Sequence, residues 1–167
     1  MKESDKYTSW QLIVLISLRI LIGWHLLYEG ITKLINPNWT SAGFLMESKW
    51  ILSGFSQWII SNPGILNFVD FLNTWGLTAI GLGLIVGLFT RTAAISGAIL
   101  LLIYYLNNPP LIGLEYSVPM EGNYLIVSKT LIEAVALFVL VVFPTDSVAG
   151  LDVFIYRFKN RKNRRGK

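Results

Sequence analysis

The sequence predicts an all-α integral membrane protein: a four-transmembrane-helix bundle with an amphipathic extracytoplasmic helix between spans 1 and 2. The composition favours this class, because 53% of the 167 residues are hydrophobic and only 14% are charged, with a mean hydropathy of +0.55. Four apolar runs of helical length are separated by Pro, Asn and Gly. Seven Lys and Arg lie in the last eleven positions, as is typical of a cytoplasmic tail. We therefore expect a single membrane domain over residues 1–167.

The four apolar runs give the expected spans in chain order. Span 1 ends at Asn36-Pro37, because proline cannot continue a helix. A tight turn at Thr90-Arg91 joins spans 2 and 3 as antiparallel neighbours, and Pro144 stops span 4. The expected bounds are 10–35, 71–89, 92–106 and 124–143 for the spans, about 42–60 for the amphipathic helix and 151–167 for the basic cytoplasmic tail.

The segment between spans 1 and 2 is of intermediate polarity. Its apolar residues fall within about 140° of a helical wheel, which predicts a helix that lies on the membrane surface or caps the bundle. These residues are Phe44, Leu45, Ile51, Leu52, Phe55, Trp58 and Ile59.

Small residues recur every fourth position on spans 2 and 3. They are Ala79, Gly83 and Gly87 on span 2, and Ala93 and Gly97 on span 3. Small residues at this spacing let two transmembrane helices approach closely. We expect them to serve packing between these two spans.

Two absences exclude whole classes of chemistry. The chain has no cysteine, which excludes disulfides, thiol redox chemistry, thiol-attached haem and iron–sulfur ligation by this chain. His25 is the only histidine, so a histidine-rich metal site within one chain is excluded, and no metal or haem is expected. The net charge of +4 comes from the tail and does not indicate nucleic-acid binding.

Span 1 carries four ionisable residues on one side. At about 100° per residue, Arg19, His25, Glu29 and Lys33 occupy one arc of about 120°. An ionisable side chain at membrane depth costs roughly 2.5 kcal/mol or more, and persists where it is paired or lines a polar cavity. We expect whatever this protein does to occur against that arc.

Span 4 carries Lys129 and Glu133 at i and i+4. Counting from the outer ends of spans 1 and 4 brings Glu29 to Lys129 and His25 to Glu133. In the simpler interpretation these charges only hold four helices in register. In the functional interpretation they form a polar pocket in the outer half of the bundle, with the amphipathic helix above it and aromatic residues lining it, namely Trp24, Tyr28, Trp58 and Trp75.

The distribution of basic residues predicts the orientation. An inside N-terminus places ten Lys and Arg on the cytoplasmic side and only Lys49 outside, so both termini are expected in the cytoplasm.

Three stretches carry a family resemblance. They are the R-x5-H-x4-G-x2-K pattern at Arg19, His25, Gly30 and Lys33, the run GLGLIVGLFTRTAAISGAILLLIYYLNNPP, and LIEAVALFVLVVFPTDSVAGLD. Together they resemble the DoxX family, including its DoxD branch, over nearly the whole chain. The resemblance implies a multi-pass, four-span protein of a bacterial or archaeal cytoplasmic membrane. It also suggests redox chemistry, because the DoxD branch is associated with a small subunit of thiosulfate:quinone oxidoreductase.

Three functions remain open at this point. The first is the membrane subunit of a quinone-linked oxidoreductase, with His25, Glu29 and Glu133 moving protons and with a set of binding residues that hold a quinone: Arg19, Lys33, Lys129, Trp24 and Tyr28. A partner subunit would then supply any sulfur chemistry. The second is a non-enzymatic scaffold or assembly partner, and the third is a small-solute transporter. The lipid bilayer is the expected partner, and a homo-oligomer or a periplasmic or membrane oxidoreductase subunit remains open.

Overall fold

The computed structural model describes residues 7–114, 116, 125–145 and 148–153. All regular elements in these ranges are α-helices, as the sequence predicts. They are α1 (Ser9–Ile35), α2 (Ala42–Met46), α3 (Ser53–Ile60), α4 (Pro63–Val86), α5 (Thr90–Asn107) and α6 (Lys129–Val142). The end of the bundle that holds residues 36–62 is called the outer end below, and the opposite end is the inner end.

The helix boundaries follow from local chemistry. Thr8 and Gln11 form a capping box before α1, in which each side chain accepts a hydrogen bond from the other residue's backbone N–H. Pro63 stands in the first turn of α4, where its missing N–H costs nothing. Gly87 ends α4 in the left-handed conformation, with φ of 70°, which glycine adopts without a Cβ clash.

The four long helices form a ring in the order α1, α4, α5, α6. The pairs α1/α4 and α5/α6 make the most extensive contacts, and the pairs α4/α5 and α1/α6 make fewer. The core in the centre of the ring takes residues from all four helices, including Leu26, Leu77, Leu101 and Leu137. In this ring, α1 packs extensively against α4 and only sparsely against α6.

Glycine makes the closest helix contact in the bundle, but between α1 and α4 rather than between α4 and α5. A methyl group on Gly81 would overlap the backbone nitrogen of Leu27, and one on Gly30 would overlap Thr78. A methyl group on Gly83 would lie 3.1 Å from the Leu88 carbonyl oxygen, which is a tight contact but not the overlap found at Gly81 and Gly30. The expectation that small residues permit close packing therefore applies most strongly to a pair of helices that the sequence did not single out.

The segment between α1 and α4 differs from the continuous helix expected over 42–60. It contains two short helices, α2 and α3, separated by residues 47–52. Ser48 Oγ donates to the Asn107 carbonyl oxygen at 3.3 Å, and Ser56 Oγ donates to Asn107 Oδ1 at 2.9 Å. Both serines must face the end of α5 to make these bonds, and the break between the helices allows it. Asp70 fixes the start of the segment by accepting hydrogen bonds from the backbone N–H and the hydroxyl of Ser41.

Other bounds also shift. Helix α4 begins at Pro63 rather than Phe71, and α6 begins at Lys129 rather than Tyr124, which lies outside the described residues. The turn between α4 and α5 lies at residues 87–89, before Thr90, because Gly87 and Phe89 both take left-handed conformations there. Most of the expected basic tail, residues 154–167, also lies outside the described residues.

The surface of the bundle has membrane character. Two helices, Ser9–Ile35 and Pro63–Val86, are long and apolar enough to cross a membrane, with only 28% of each apolar window buried in the structure. Large apolar side chains on the outside of the other two long helices are exposed as well, for example Ile99, Ile132 and Phe138. Apolar patches of this extent are unusual on a soluble monomer.

Side chains from distant parts of the chain meet at the inner end. Arg19 is buried, and its Nη1 donates to Thr145 Oγ1 at 3.0 Å and to the Ala149 carbonyl oxygen at 2.9 Å. The Asp152 carboxylate accepts from the backbone N–H groups of Phe89 and Thr90 at 2.8 and 2.9 Å. Asp152 therefore supplies acceptors for the first turn of α5, which no residue of its own caps.

Candidate functional site between α1 and α6

The sole histidine lies between two charged residues of α6. His25 Nδ1 is 3.0 Å from Glu133 Oε1, and Lys129 Nζ is 3.4 Å from His25 Nε2. Ser128 caps α6 by accepting from the Leu131 N–H, which fixes the start of the helix and puts Lys129 and Glu133 on one face. The three residues Lys129, His25 and Glu133 are called the histidine triad below.

The neighbours of the His25 ring indicate which of its two nitrogens carries the proton. The Lys129 ammonium has only donors, so it donates to Nε2, and Nε2 then carries no proton. A neutral imidazole with an unprotonated Nε2 keeps its proton on Nδ1, which faces Glu133. The triad then has one positive and one negative charge and no net charge, which lowers the cost of placing it at membrane depth.

The contact between His25 and Glu133 is an electrostatic approach rather than an aligned hydrogen bond. The distance is short, but the Nδ1–H does not point at the carboxylate oxygen. A small side-chain rotation would align the two groups. The triad could then pass a proton from Lys129 to Nε2 while Nδ1 releases one to Glu133, which is a general acid–base relay.

The triad is accessible as well as paired. The side chains of His25 and Glu133 are 32% and 17% exposed, and Lys129 is exposed. It also lies between α1 and α6, one of the two less extensive contacts in the ring. A polar cluster at a loosely packed helix contact can receive a ligand from the side without unpacking the core.

Lys33 forms a second cluster, nearer the outer end. Its Nζ donates to Asn73 Oδ1 at 3.1 Å and lies 3.7 Å from Glu29 Oε2. The same ammonium is 5.0 Å from the ring centroid of Trp39 and 5.8 Å from that of Tyr104, distances typical of cation–π contacts. Asn73 Nδ2 in turn lies 2.6 Å from the Tyr104 hydroxyl. This cluster joins α1, α4 and α5, and the ammonium has four partners within it.

One further cluster lies on the outer loops, beyond the helices that could cross the membrane. The Tyr116 hydroxyl donates to the Pro109 carbonyl oxygen at 2.8 Å, and Lys49 Nζ lies 5.3 Å from the Tyr116 ring. Burial raises the pKa of Tyr116, and the charge of Glu47 raises it further. The hydroxyl therefore keeps its proton at physiological pH and serves the loop contact.

The structure divides the predicted site residues into four groups. His25, Lys129 and Glu133 come together as expected for a site. Glu29 and Lys33 pair with each other within α1 and not with α6, while Arg19 lies at the inner end. Trp24 and Tyr28 expose 63% and 59% of their surface on the outside of α1. Trp58 and Trp75 are likewise more than half exposed. The aromatic residues therefore face the surroundings of the bundle.

Sequence reasoning missed three residues that organise these clusters. Asn73 and Tyr104 complete the Lys33 cluster, and Asp70 holds the outer segment. A signal did exist for two of them, because Asp70 and Asn73 are polar residues in the long apolar helix α4 and such residues need partners. Within the described residues, no group of three or more His, Cys, Asp or Glu side chains is arranged to hold a metal ion.

Comparison with known proteins gives one match. The DoxX family model matches residues 14–106, which is more than half of the chain and extends from α1 to the end of α5. No curated protein and no solved structure matches the chain. His25 lies inside the matched range, while Lys129 and Glu133 lie beyond it.

Proposed function

This chain belongs to the DoxX family, and from that premise we propose that it is a multi-pass protein of the cytoplasmic membrane that serves as the membrane subunit of a quinone-linked oxidoreductase. The observation that supports this function best is the histidine triad at the open side of the bundle. It combines a titratable ring, a donor and an acceptor within 3.4 Å of one another.

The donor set of the triad fits a quinone head group. A quinone carbonyl needs a hydrogen-bond donor, and the exposed Lys129 ammonium or a protonated His25 provides one. Conversion of a quinone to a quinol takes two electrons and two protons. The electrons are assigned to a redox-active partner subunit. Of the two protons, the Lys129 ammonium donates one, and a His25 ring protonated on both nitrogens donates the other through Nε2, with Glu133 stabilising that imidazolium. Both side chains then take up a proton from water.

The helix lengths are compatible with a protein that crosses the membrane four times. Helix α5 has 18 residues and is about 27 Å long, and α6 has 14 residues and is about 21 Å long. Helix α6 reaches bilayer thickness only together with the apolar residues before it, Leu125, Ile126 and Val127, which are exposed. The Tyr105 hydroxyl donates to the Ile126 carbonyl oxygen at 2.7 Å, which satisfies one backbone group of this non-helical stretch. Both termini are placed in the cytoplasm on the distribution of basic residues.

The proposal is tested on protein purified from quinone-containing membranes. We expect a stoichiometric quinone in the mass spectrum of the co-extracted lipids and in the ultraviolet spectrum. His25→Ala and Lys129→Ala should each weaken the affinity for quinone about tenfold, as expected when one charge-assisted hydrogen bond of about 1.5 kcal/mol is lost. Tyr28→Phe, on the outside of the same helix, is the matched control and should retain the quinone. A wild-type protein free of quinone would contradict the proposal.

A scaffold function is the second candidate, and the completeness of the charge pairing favours it. The triad has no net charge, and Lys33 contacts Asn73, Glu29 and Trp39. The same contacts would also serve a protein in which they only hold the helices in register. The two functions differ in one measurement. Under the scaffold function, a Lys129→Met protein that remains folded should still support growth or partner assembly in cells, whereas the quinone function requires that it fail.

A further inference from the structure

A groove lies between α1 and α6 on the inner side of the histidine triad. Its volume is about 630 Å³, within the range of small-ligand pockets. Apolar side chains of both helices form most of its walls, among them Trp10, Val14, Leu15, Val139 and Val142. Because α1 and α6 touch only sparsely, neither helix fills the groove. Its shape and chemistry suit a flexible hydrocarbon chain.

The groove and the triad lie on the same side of α1. Val14 lines the groove and stands eleven residues before His25, so the two lie within about 20° of each other around the helix and about 16.5 Å apart along its axis. Leu18 and Leu21 occupy the same side between them, and Leu21 is 68% exposed. On α1, an apolar surface therefore connects the triad to the groove.

Helix α6 provides the matching surface. Phe143 lines the groove and stands fourteen residues after Lys129, at a position about 40° away around the helix. Ile132 and Ala136 occupy this side between them, and Ile132 is 59% exposed. The contact between α1 and α6 is thus polar at the triad and apolar from there to the inner end, which is the pattern of a molecule with a polar head and a long apolar tail.

We propose that the substrate of the triad is a long-tailed isoprenoid quinone, with its head group at the triad and its tail lying between α1 and α6 in the groove. This inference rests on the proposed quinone function and adds to it the class of quinone and its orientation. Lipid tails are as apolar as the walls of the groove, so these walls add little affinity. The head group supplies most of the affinity, and the groove directs the tail toward the inner end.

The test locates the tail in the full-length protein, embedded in phospholipid nanodiscs. The probe is an isoprenoid quinone with a photoreactive diazirine at the far end of a tail long enough to cover the distance from the triad to the groove. After irradiation, peptide mass spectrometry identifies the crosslinked residues. We expect crosslinks within residues 10–15 and 139–143. Crosslinks confined to other parts of the chain would overturn the proposed orientation.

Three variants show whether the groove holds the tail. Val14→Trp places a bulky side chain in the groove at a 63% exposed position, so the fold should persist while most crosslinks in the groove are lost. Val142→Trp, on the opposite wall and 54% exposed, should have the same effect. Ile13→Trp is the matched control, because Ile13 is 53% exposed and does not line the groove. If all three variants crosslink like the wild type, the tail does not lie in the groove.

A short-tailed probe separates this inference from the quinone function itself. A quinone with a single isoprene unit does not reach the groove, so Val14→Trp should bind it as the wild type does, whereas His25→Ala should weaken the binding of both quinones. A wild-type protein that binds neither quinone contradicts the proposed function. If both quinones bind and depend on His25, but a photoreactive phospholipid crosslinks in the groove and the quinone tail does not, only the present inference is wrong.

Discussion

Helix α1 meets its two neighbours in the ring, α4 and α6, in opposite ways. Against α4 the contact is close, because Gly23, Gly30 and Gly81 bring the two backbones together. Against α6 the contact is sparse, and it holds the histidine triad and, toward the inner end, a mostly apolar groove between Trp10, Val14 and Val139. One helix thus provides a rigid face toward α4 and an accessible face toward α6. Under the proposed function, ligand chemistry belongs on the second face, since the first has no room for a methyl group.

The largest effect is expected on the close contact. Gly81→Ala should lower the free energy of unfolding by about 3 kcal/mol, because the new methyl group overlaps the Leu27 backbone and the helices must separate. Thermal unfolding in detergent measures the loss. Gly76→Ala is the matched control on the same helix, since a methyl group there meets nothing within 4 Å. Equal stability of the two variants would show that α1 and α4 do not pack as described.

The second largest effect is expected at Lys33, where a substitution should be more destabilising than one at Lys129. Lys33→Met removes an ammonium that bonds Asn73 and contacts two aromatic rings, and we expect a loss of about 2 kcal/mol. Lys129→Met removes an exposed lysine and should leave the unfolding temperature nearly unchanged. If Lys129→Met is the more destabilising variant, the histidine triad is structural and the Lys33 cluster is not.

A double-mutant cycle tests the pair that joins α1 to α6. His25→Ala and Glu133→Ala should show a coupling energy of about 1 kcal/mol in chemical or thermal unfolding, as is typical of side chains in direct contact. The same cycle on Glu29 and Lys129 should give less than about 0.3 kcal/mol, because Glu29 pairs with Lys33 instead. Coupling in the second cycle alone would show that α6 is shifted along α1, so that Lys129 lies beside Glu29 rather than beside His25.

The smallest effect is expected on the outside of α1. Trp24→Leu and Tyr28→Leu should each change stability by less than about 0.5 kcal/mol, because both side chains are more than half exposed. Quinone occupancy should also persist. A loss of quinone in either variant would place the head group outside the bundle rather than between α1 and α6.

Hydropathy and residue periodicity predicted much of this fold, and the reason is physical. Apolar runs ended by Pro and Asn locate helices well, so the bounds of α1 and α5 agree to within two residues at each end. The contact of His25 with Glu133 followed from counting residues along antiparallel helices. The proposed pair of Glu29 with Lys129 did not follow, because α6 starts at Lys129 and places that residue level with His25.

Other contacts between segments distant in the chain could not be predicted. Gly81 stands between Ala79 and Gly83, and periodicity favoured those two although Gly81 makes the closer contact. The break between α2 and α3 depends on Asn107, a residue at the far end of α5. Both features depend on which helix faces which, and a single sequence does not specify that.

The position of Arg19 has a consequence for how the protein is made. Its acceptors Thr145 and Ala149 lie 126 and 130 residues later in the chain. At a synthesis rate of about 5–20 residues per second, the ribosome needs roughly 6–25 s to reach them. During this interval the first helix already carries its guanidinium toward the bilayer without the groups that later receive it. The insertion machinery, or a shallow position of the helix near the lipid head groups, must hold Arg19 until the last helix arrives, so the first helix to be made is among the last to settle.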